Sequence, residues 1–268
     1  MRDELKPRVG AVSYLNSKPL IAALPRYAPE ADLIVDLPSR LADCLAEDLL
    51  DVALIPSIEY FRHPGYKIFS TACIACDGPV LSVKLYSHVP PERIETLALD
   101  EGSRTSAALA RILLNYRFGV QPTTYELPIN ALPEMCDCDA IMLIGDRAML
   151  CTDHDFPVEW DLGEEWREWT GLPFVFATWI AREGFESAEL RQALDAARDE
   201  GERRFEEIAR VESIKVGLPE QACLSYFRDY LCFHLGPRER QALVRFGQLA
   251  AEMSLVPPGD RSAEILHG

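Results

Sequence analysis

Hydroxyl, amide and carboxylate side chains gather where short apolar runs end, and these clusters are where the sequence could do chemistry. After Val9–Val12 come Ser13, Asn16 and Ser17, with Pro19 where a helix can begin. After Thr96–Leu99 comes Asp100-Glu101-Gly102-Ser103-Arg104-Thr105-Ser106, which opens a predicted helix. Ser103 is its expected N-cap, and the first-turn N–H groups of Arg104, Thr105 and Ser106 have no partner within the helix. With the hydroxyls of Ser103, Thr105 and Ser106 they make a carboxylate site; without a ligand they read as an ordinary capped helix. Three further strand ends carry polar groups: Ile55-Pro56-Ser57, Asp77-Gly78-Pro79-Val80-Leu81-Ser82-Val83 and Ile144-Gly145-Asp146-Arg147-Ala148. The second of these reads equally as a plain β-turn. In the third, Gly145 lets a ligand approach the backbone, while Asp146 is either a ligand contact or a helix cap.

Several familiar chemistries are missing. The histidines (His63, His88, His154, His234 and His267) lie outside these clusters, and no Ser-His-Asp pattern, zinc-protease motif, phosphate-binding G-x-x-x-x-G-K or dinucleotide-binding G-x-G-x-x-G occurs. Histidine acid–base catalysis and a nicotinamide cofactor are therefore disfavoured. Cys73-x-x-Cys76 and Cys136-x-Cys138 together have the composition of a four-thiolate zinc site. Their apolar flanks favour packed thiols instead, so no metal is expected. Trp166 and Trp169, in the aromatic stretch 161–174, either roof a pocket or pack in the core.

The chain has 268 residues, 48% of them hydrophobic, a formal net charge of −16 and a pI near 4.8. Nucleic acid is an unexpected partner for so acidic a surface, and a small anion would have to be held by local donors. The start, M-R-D-E-L-K-P-R, lacks an apolar signal region, and no apolar run approaches the ~18 residues of a membrane span. A cytoplasmic protein with reduced thiols and no membrane partner is expected.

The clusters must be positioned by an alternation of strands and helices. Strands are predicted at 8–13, 32–37, 51–56, 67–75 and 80–87, with helices at 17–27 and 39–49. Pro90-Pro91 reads as a crossover to a second series: strand 96–99, helix 104–117, strands 123–127 and 140–144. The β-rich run 174–181 crosses back. From 187 the pattern is helical, with segments at 187–209, from Pro219 and at 238–254, and a loose tail from Pro257. The expectation is an α/β protein of two lobes, 1–91 plus 177–268 and 92–176, with the ligand in the cleft between them.

Six segments in order carry a resemblance: V-S-Y-L-N-S-K-P-L, D-V-A-L-I-P-S-I-E-Y, D-G-P-V-L-S-V, L-D-E-G-S-R-T-S-A-A-L, I-G-D-R-A-M and D-L-G-E-E-W-R-E-W-T-G-L-P-F-V-F-A. Together they resemble the chorismate dehydratases of the futalosine route to menaquinone. The related dihydroxynaphthoate synthases open with S-P-C-P-N-D instead of S-Y-L-N-S. A binding protein or sensor of the same fold is the other alternative. The resemblance implies a type II periplasmic-binding-protein-like fold and cofactor-free loss of water from chorismate, giving 3-[(1-carboxyvinyl)oxy]benzoate. The chemistry of that reaction makes Asn16 the expected catalytic residue, orienting the substrate side chain or leaving hydroxyl while the enolpyruvyl carboxylate takes the C3 proton. Substrate would be bound by Ser13, Ser57, Cys76, Ser82, Ser103, Arg104, Thr105, Ser106, Gly145 and Asp146. The chain departs from the pattern at Cys76, where a serine is expected before D-G-P-V; a thiol is the weaker donor.

Overall fold

Apolar and small residues near the N-terminus build a parallel sheet first. The computed structural model describes residues 6–131, 136–151 and 155–267. In it β1 (Arg8–Val12) lies between β2 (Asp32–Asp36) and β3 (Val52–Pro56), parallel to both. β3 is buried along its whole length, as a strand covered on both faces must be. A Cβ on Gly10 would lie 2.6 Å from a Leu50 methyl and 2.9 Å from one of Leu41, so glycine lets helix Pro38–Ala46 settle onto β1.

After β4 (Lys67–Cys76) the chain changes sheets. β5 (Val83–Ser87), β6 (Thr96–Asp100), β7 (Thr123–Leu127), β8 (Ala140–Ile144) and β9 (Val158–Asp161) form the second sheet, ordered β7-β6-β8-β5-β9. β10 (Phe174–Ala181) then returns to run antiparallel between β3 and β4, and β11 (Cys232–His234) adds at the β4 edge. The first sheet thus reads β11-β4-β10-β3-β1-β2. This is a two-lobed α/β fold. Helix Ala188–Arg203 packs on β4 and helix Pro237–Glu252 on β10. No helix among the described residues is long and apolar enough to cross a membrane.

Some expected boundaries move. The crossover expected at Pro90-Pro91, and with it the division at 91/92, lies earlier, because β5 pairs with β8 and β9. The chain leaves the first sheet after Cys76 and rejoins it at Phe174. Hydrophobic alternation identified β5 as a strand but says nothing about which sheet receives it. The expected helix 187–209 is broken at Arg204, and the segment after Pro219 tightens into helix Glu220–Ser225 followed by a wide π turn, Tyr226–Tyr230. The tail is not loose throughout: Ser262–His267 is helical and buries Ile265. Arg261 fastens it by donating to the carbonyls of Tyr60, His63 and Tyr66.

Candidate functional site

A cavity of about 40 Å³ lies where the strand ends of the two lobes face each other. On a scale of about 10–15 Å³ per water it holds roughly three waters, so the cleft is closed. Tyr14 and Asn16 line it from the turn after β1, and Phe176 from β10. Ser82, Ser103, Ser106 and Gly145 line it from the second lobe. Five residues expected at the site, Asn16, Ser82, Ser103, Ser106 and Gly145, are therefore brought together from segments far apart in sequence.

The donors and acceptors are partly committed. Ser103 caps helix Arg104–Phe118, its Oγ accepting the Ser106 N–H at 3.2 Å, and the two hydroxyls are 2.9 Å apart. The open N-terminus of this helix adds a partial positive charge at the cavity wall. Ser82 Oγ accepts the Tyr226 hydroxyl proton at 2.6 Å. Gly145, at φ +62°, donates its N–H to the Ser82 carbonyl at 2.8 Å and leaves room for the Tyr14 ring. Among the described residues that line the cavity, Tyr14 Oη and Asn16 Oδ1 are buried without a hydrogen-bond partner. Each unpartnered group costs about 1–3 kcal/mol, which a ligand bearing an acceptor for the phenol and a donor for the amide oxygen would offset. Burial, helped by Asp100 and Asp146, holds the Tyr14 phenol well above its ordinary range, so Tyr14 acts as a donor.

Other expected site residues lie elsewhere. Ser57 donates to the Val175 carbonyl at 2.7 Å, and Thr105 Oγ1 accepts the Ile58 N–H at 3.1 Å. Arg104 reaches across to Asp43 at 2.5 Å and Glu59 at 3.5 Å. Asp146 accepts the Leu15 N–H at 3.0 Å, and burial pushes its carboxyl upward. Thr105, Arg104 and Asp146 thus tie one lobe to the other. Ser13 offers its carbonyl to Lys18 Nζ at 2.6 Å. Cys76 is fully buried at the end of β4 opposite Phe174, its thiol raised chiefly by burial; Ile74, not Cys76, lines the cavity.

Two open alternatives resolve toward packing. Cys73 and Cys76 are three apart on a strand, so they face opposite sides, while Cys136 and Cys138 pack on a separate small core. Four thiols do not converge. Among the described residues the grouping suited to a metal is Asp199, Glu202 and His234, at the surface. Trp166 donates to the Pro173 carbonyl at 2.9 Å and packs on Phe174 and Phe246, while Trp169 stacks on Tyr116; neither lines the cavity. His63, His88, His234 and His267 also lie off it, and His154 falls outside the described residues.

Tyr226 escaped the sequence reading. It is 144 positions from Ser82, in a segment legible only as an amphipathic helix. Tyr14 sat inside a recognised motif but was passed over, because a tyrosine beside an apolar strand reads as packing.

The architecture is a two-lobed α/β fold of the periplasmic-binding-protein-like class. An Archaeoglobus fulgidus protein superposes with a TM-score of 0.74 at 16% identity, covering 95% of this chain and all of that one. The periplasmic aliphatic sulphonate binding protein of Escherichia coli superposes at 0.67 with 13% identity, over 98% of this chain and 92% of that one. Within this class the chain belongs to the menaquinone biosynthesis family, which matches residues 7–252. It is 30% identical to the chorismate dehydratase of Thermus thermophilus over 260 residues, 86% of this chain and 95% of the relative. A Campylobacter jejuni chorismate dehydratase is 30% identical over 174 residues, 63% of this chain and 64% of that one.

Proposed function

We propose that this protein is a chorismate dehydratase acting as a hydro-lyase. The observation that carries the reading is the 30% identity with the Thermus enzyme over 95% of its length. The chemistry suits a site without a strong base. Chorismate has a hydrogen on C3 and a hydroxyl on C4, and losing both makes the ring aromatic. The C3–H electron pair becomes the new ring double bond as the C4–O bond breaks. The departing hydroxyl leaves as water, and the enolpyruvyl carboxylate carries the C3 proton toward it. The protein has to hold a dianion in one conformer and shield it from solvent.

In this reading Tyr14, Ser82 and the Ser103–Ser106 turn receive the carboxylates, and Asn16 Oδ1 orients the C4 hydroxyl. Gly145 gives the Tyr14 ring its place. Ser57, Thr105, Arg104 and Asp146 close the lobes around substrate. Ser13 and Cys76 stand behind the wall. A ring with two carboxylates exceeds a cavity of about 40 Å³, so binding requires the lobes to part. Eight free cysteines fit a reducing cytoplasm. The test is to incubate chelator-treated protein with chorismate and separate products by chromatography and mass. Enolpyruvyl benzoate above the spontaneous background is expected; chorismate bound but unchanged would overturn the reading in favour of a binding protein.

A further inference from the structure

The turn that carries Tyr14 and Asn16 is held from behind by the two side chains that follow it. Val12, Tyr14 and Asn16 line the cavity, while Leu15 and Ser17 are fully buried and do not. Three consecutive carbonyls at the end of β1, those of Val12, Ser13 and Tyr14, each accept from Ser17 or Lys18. Ser17 Oγ lies 2.5 Å from the Val12 carbonyl and 2.9 Å from that of Tyr14, and its single proton is shared between them. The Ser17 N–H also donates to the Tyr14 carbonyl, at 3.2 Å. Lys18 Nζ donates to the Ser13 carbonyl at 2.6 Å. These bonds fold the chain back on the strand it has just left, with Asn16 at the turn.

From this geometry we infer that Ser17 and Lys18 are positioning residues that aim Tyr14 and Asn16 at the ligand. Neither lines the cavity, so they act only through the backbone carbonyls they hold. Tyr14 Oη and Asn16 Oδ1 are unpartnered, so the backbone beneath them carries much of their aim. Misplacing a reacting group by about 1 Å can cost about 100-fold in rate. Lys18 also lines an open groove of about 340 Å³, with Ile21, Ala22 and Glu212, that is separate from the cavity. Shortening Lys18 would connect this groove to the Ser13 carbonyl, so a small amine could take the place of the ammonium. The inference rests on the dehydratase reading for its assay; the hydrogen bonds stand without it.

The test is mutation with chemical rescue. Ser17→Ala removes the shared hydroxyl, and its kcat on chorismate per folded molecule is expected to fall about 10- to 100-fold, with KM within about threefold. Lys18→Ala is expected to lose about 5- to 30-fold in kcat, and propylammonium, which supplies the missing carbons and the ammonium, to raise it again at least about threefold and saturably. Tetramethylammonium, a cation with no N–H to donate, should restore nothing. Lys18→Met fills the space without a donor and should show the loss without rescue. Wild-type kcat in Ser17→Ala or Lys18→Ala overturns the inference, as does a lowered melting temperature with kcat per folded molecule unchanged. Absence of rescue by propylammonium, or equal rescue by both cations, overturns it too. Should Ser17→Ala not fold, the Lys18 variants carry the test. A wild-type protein that makes no product refutes the dehydratase reading instead, and the same comparisons are then read in the Kd for chorismate.

Discussion

Replacing Gly145 by alanine should close the site against its own tyrosine. The residue has φ +62°, where an L side chain costs about 1–2 kcal/mol. A Cβ there would stand 2.8–2.9 Å from three carbons of the Tyr14 ring. Carbon contacts settle near 3.5 Å, so the ring must retreat by about 0.7 Å. It has little room to do so, since its hydroxyl already lies 2.8 Å from where a Cβ on Gly102 would be. Overpacking of this kind costs about 1–3 kcal/mol. The sum, about 2–5 kcal/mol, corresponds to a melting-temperature loss of roughly 4–20 °C at about 2–4 °C per kcal/mol. Calorimetry on Gly145→Ala measures it, and chorismate KM should rise in parallel. In a Tyr14→Ala background the steric part vanishes and only the backbone cost of about 1–2 kcal/mol remains. A Gly145→Ala protein as stable as wild type, or one equally destabilised with and without Tyr14, would refute the reasoning.

Asn16→Ala should lower kcat at least about 100-fold while leaving the fold intact, checked by steady-state kinetics and circular dichroism. Cys76→Ser should change kcat/KM less than about threefold, because Cys76 is walled off from the cavity; a tenfold gain would place the hydroxyl on the substrate after all. Burial holds the Asp146 carboxyl above its ordinary 3.8, so the folded state binds the proton more tightly than the unfolded chain. Its contribution to stability therefore declines as pH rises from about 4 through the raised value, and is flat above it. Asp146→Asn keeps an oxygen for the Leu15 N–H and loses this term. The difference in urea-unfolding free energy between variant and wild type should grow over that window and then level off. Thr105→Val leaves the buried Ile58 N–H without its acceptor across the lobes, and should raise chorismate KM several-fold and lower the melting temperature by roughly 2–12 °C, at about 1–3 kcal/mol for the lost partner.

The elements were legible because their signals are local. β3 announces itself as a short apolar run ending at Pro56, and helix Arg104–Phe118 carries its cap, its stripe and a left-handed Gly119 at its end. Of the residues that the sequence places at strand ends, Asn16, Ser82, Ser103, Ser106 and Gly145 line one cavity. What local signals lack is the identity of the partner. Thr105 and Ser106 are neighbours with similar side chains, yet one caps the opposite lobe and the other faces the cavity, because helical rotation of about 100° per residue separates them. Cys76 differs from Ile74 by one strand repeat and ends behind the wall. Tyr226, whose hydroxyl meets that of Ser82 from 144 positions away, carries no local mark of that contact.

That partition follows from what a closing cleft requires. A residue at the mouth of two lobes meets either the ligand or the other lobe, and the two contacts compete for the same polar side chains. Here Arg104, Thr105 and Asp146 are satisfied by the opposite lobe, so their hydrogen bonds stabilise closure whether or not substrate is present. Tyr14 Oη and Asn16 Oδ1 remain unsatisfied in the closed form, so closure without substrate carries their desolvation cost. The first set favours shutting and the second makes shutting worthwhile only around a ligand that completes them. A site divided in this way couples lobe closure to a ligand that completes those two groups.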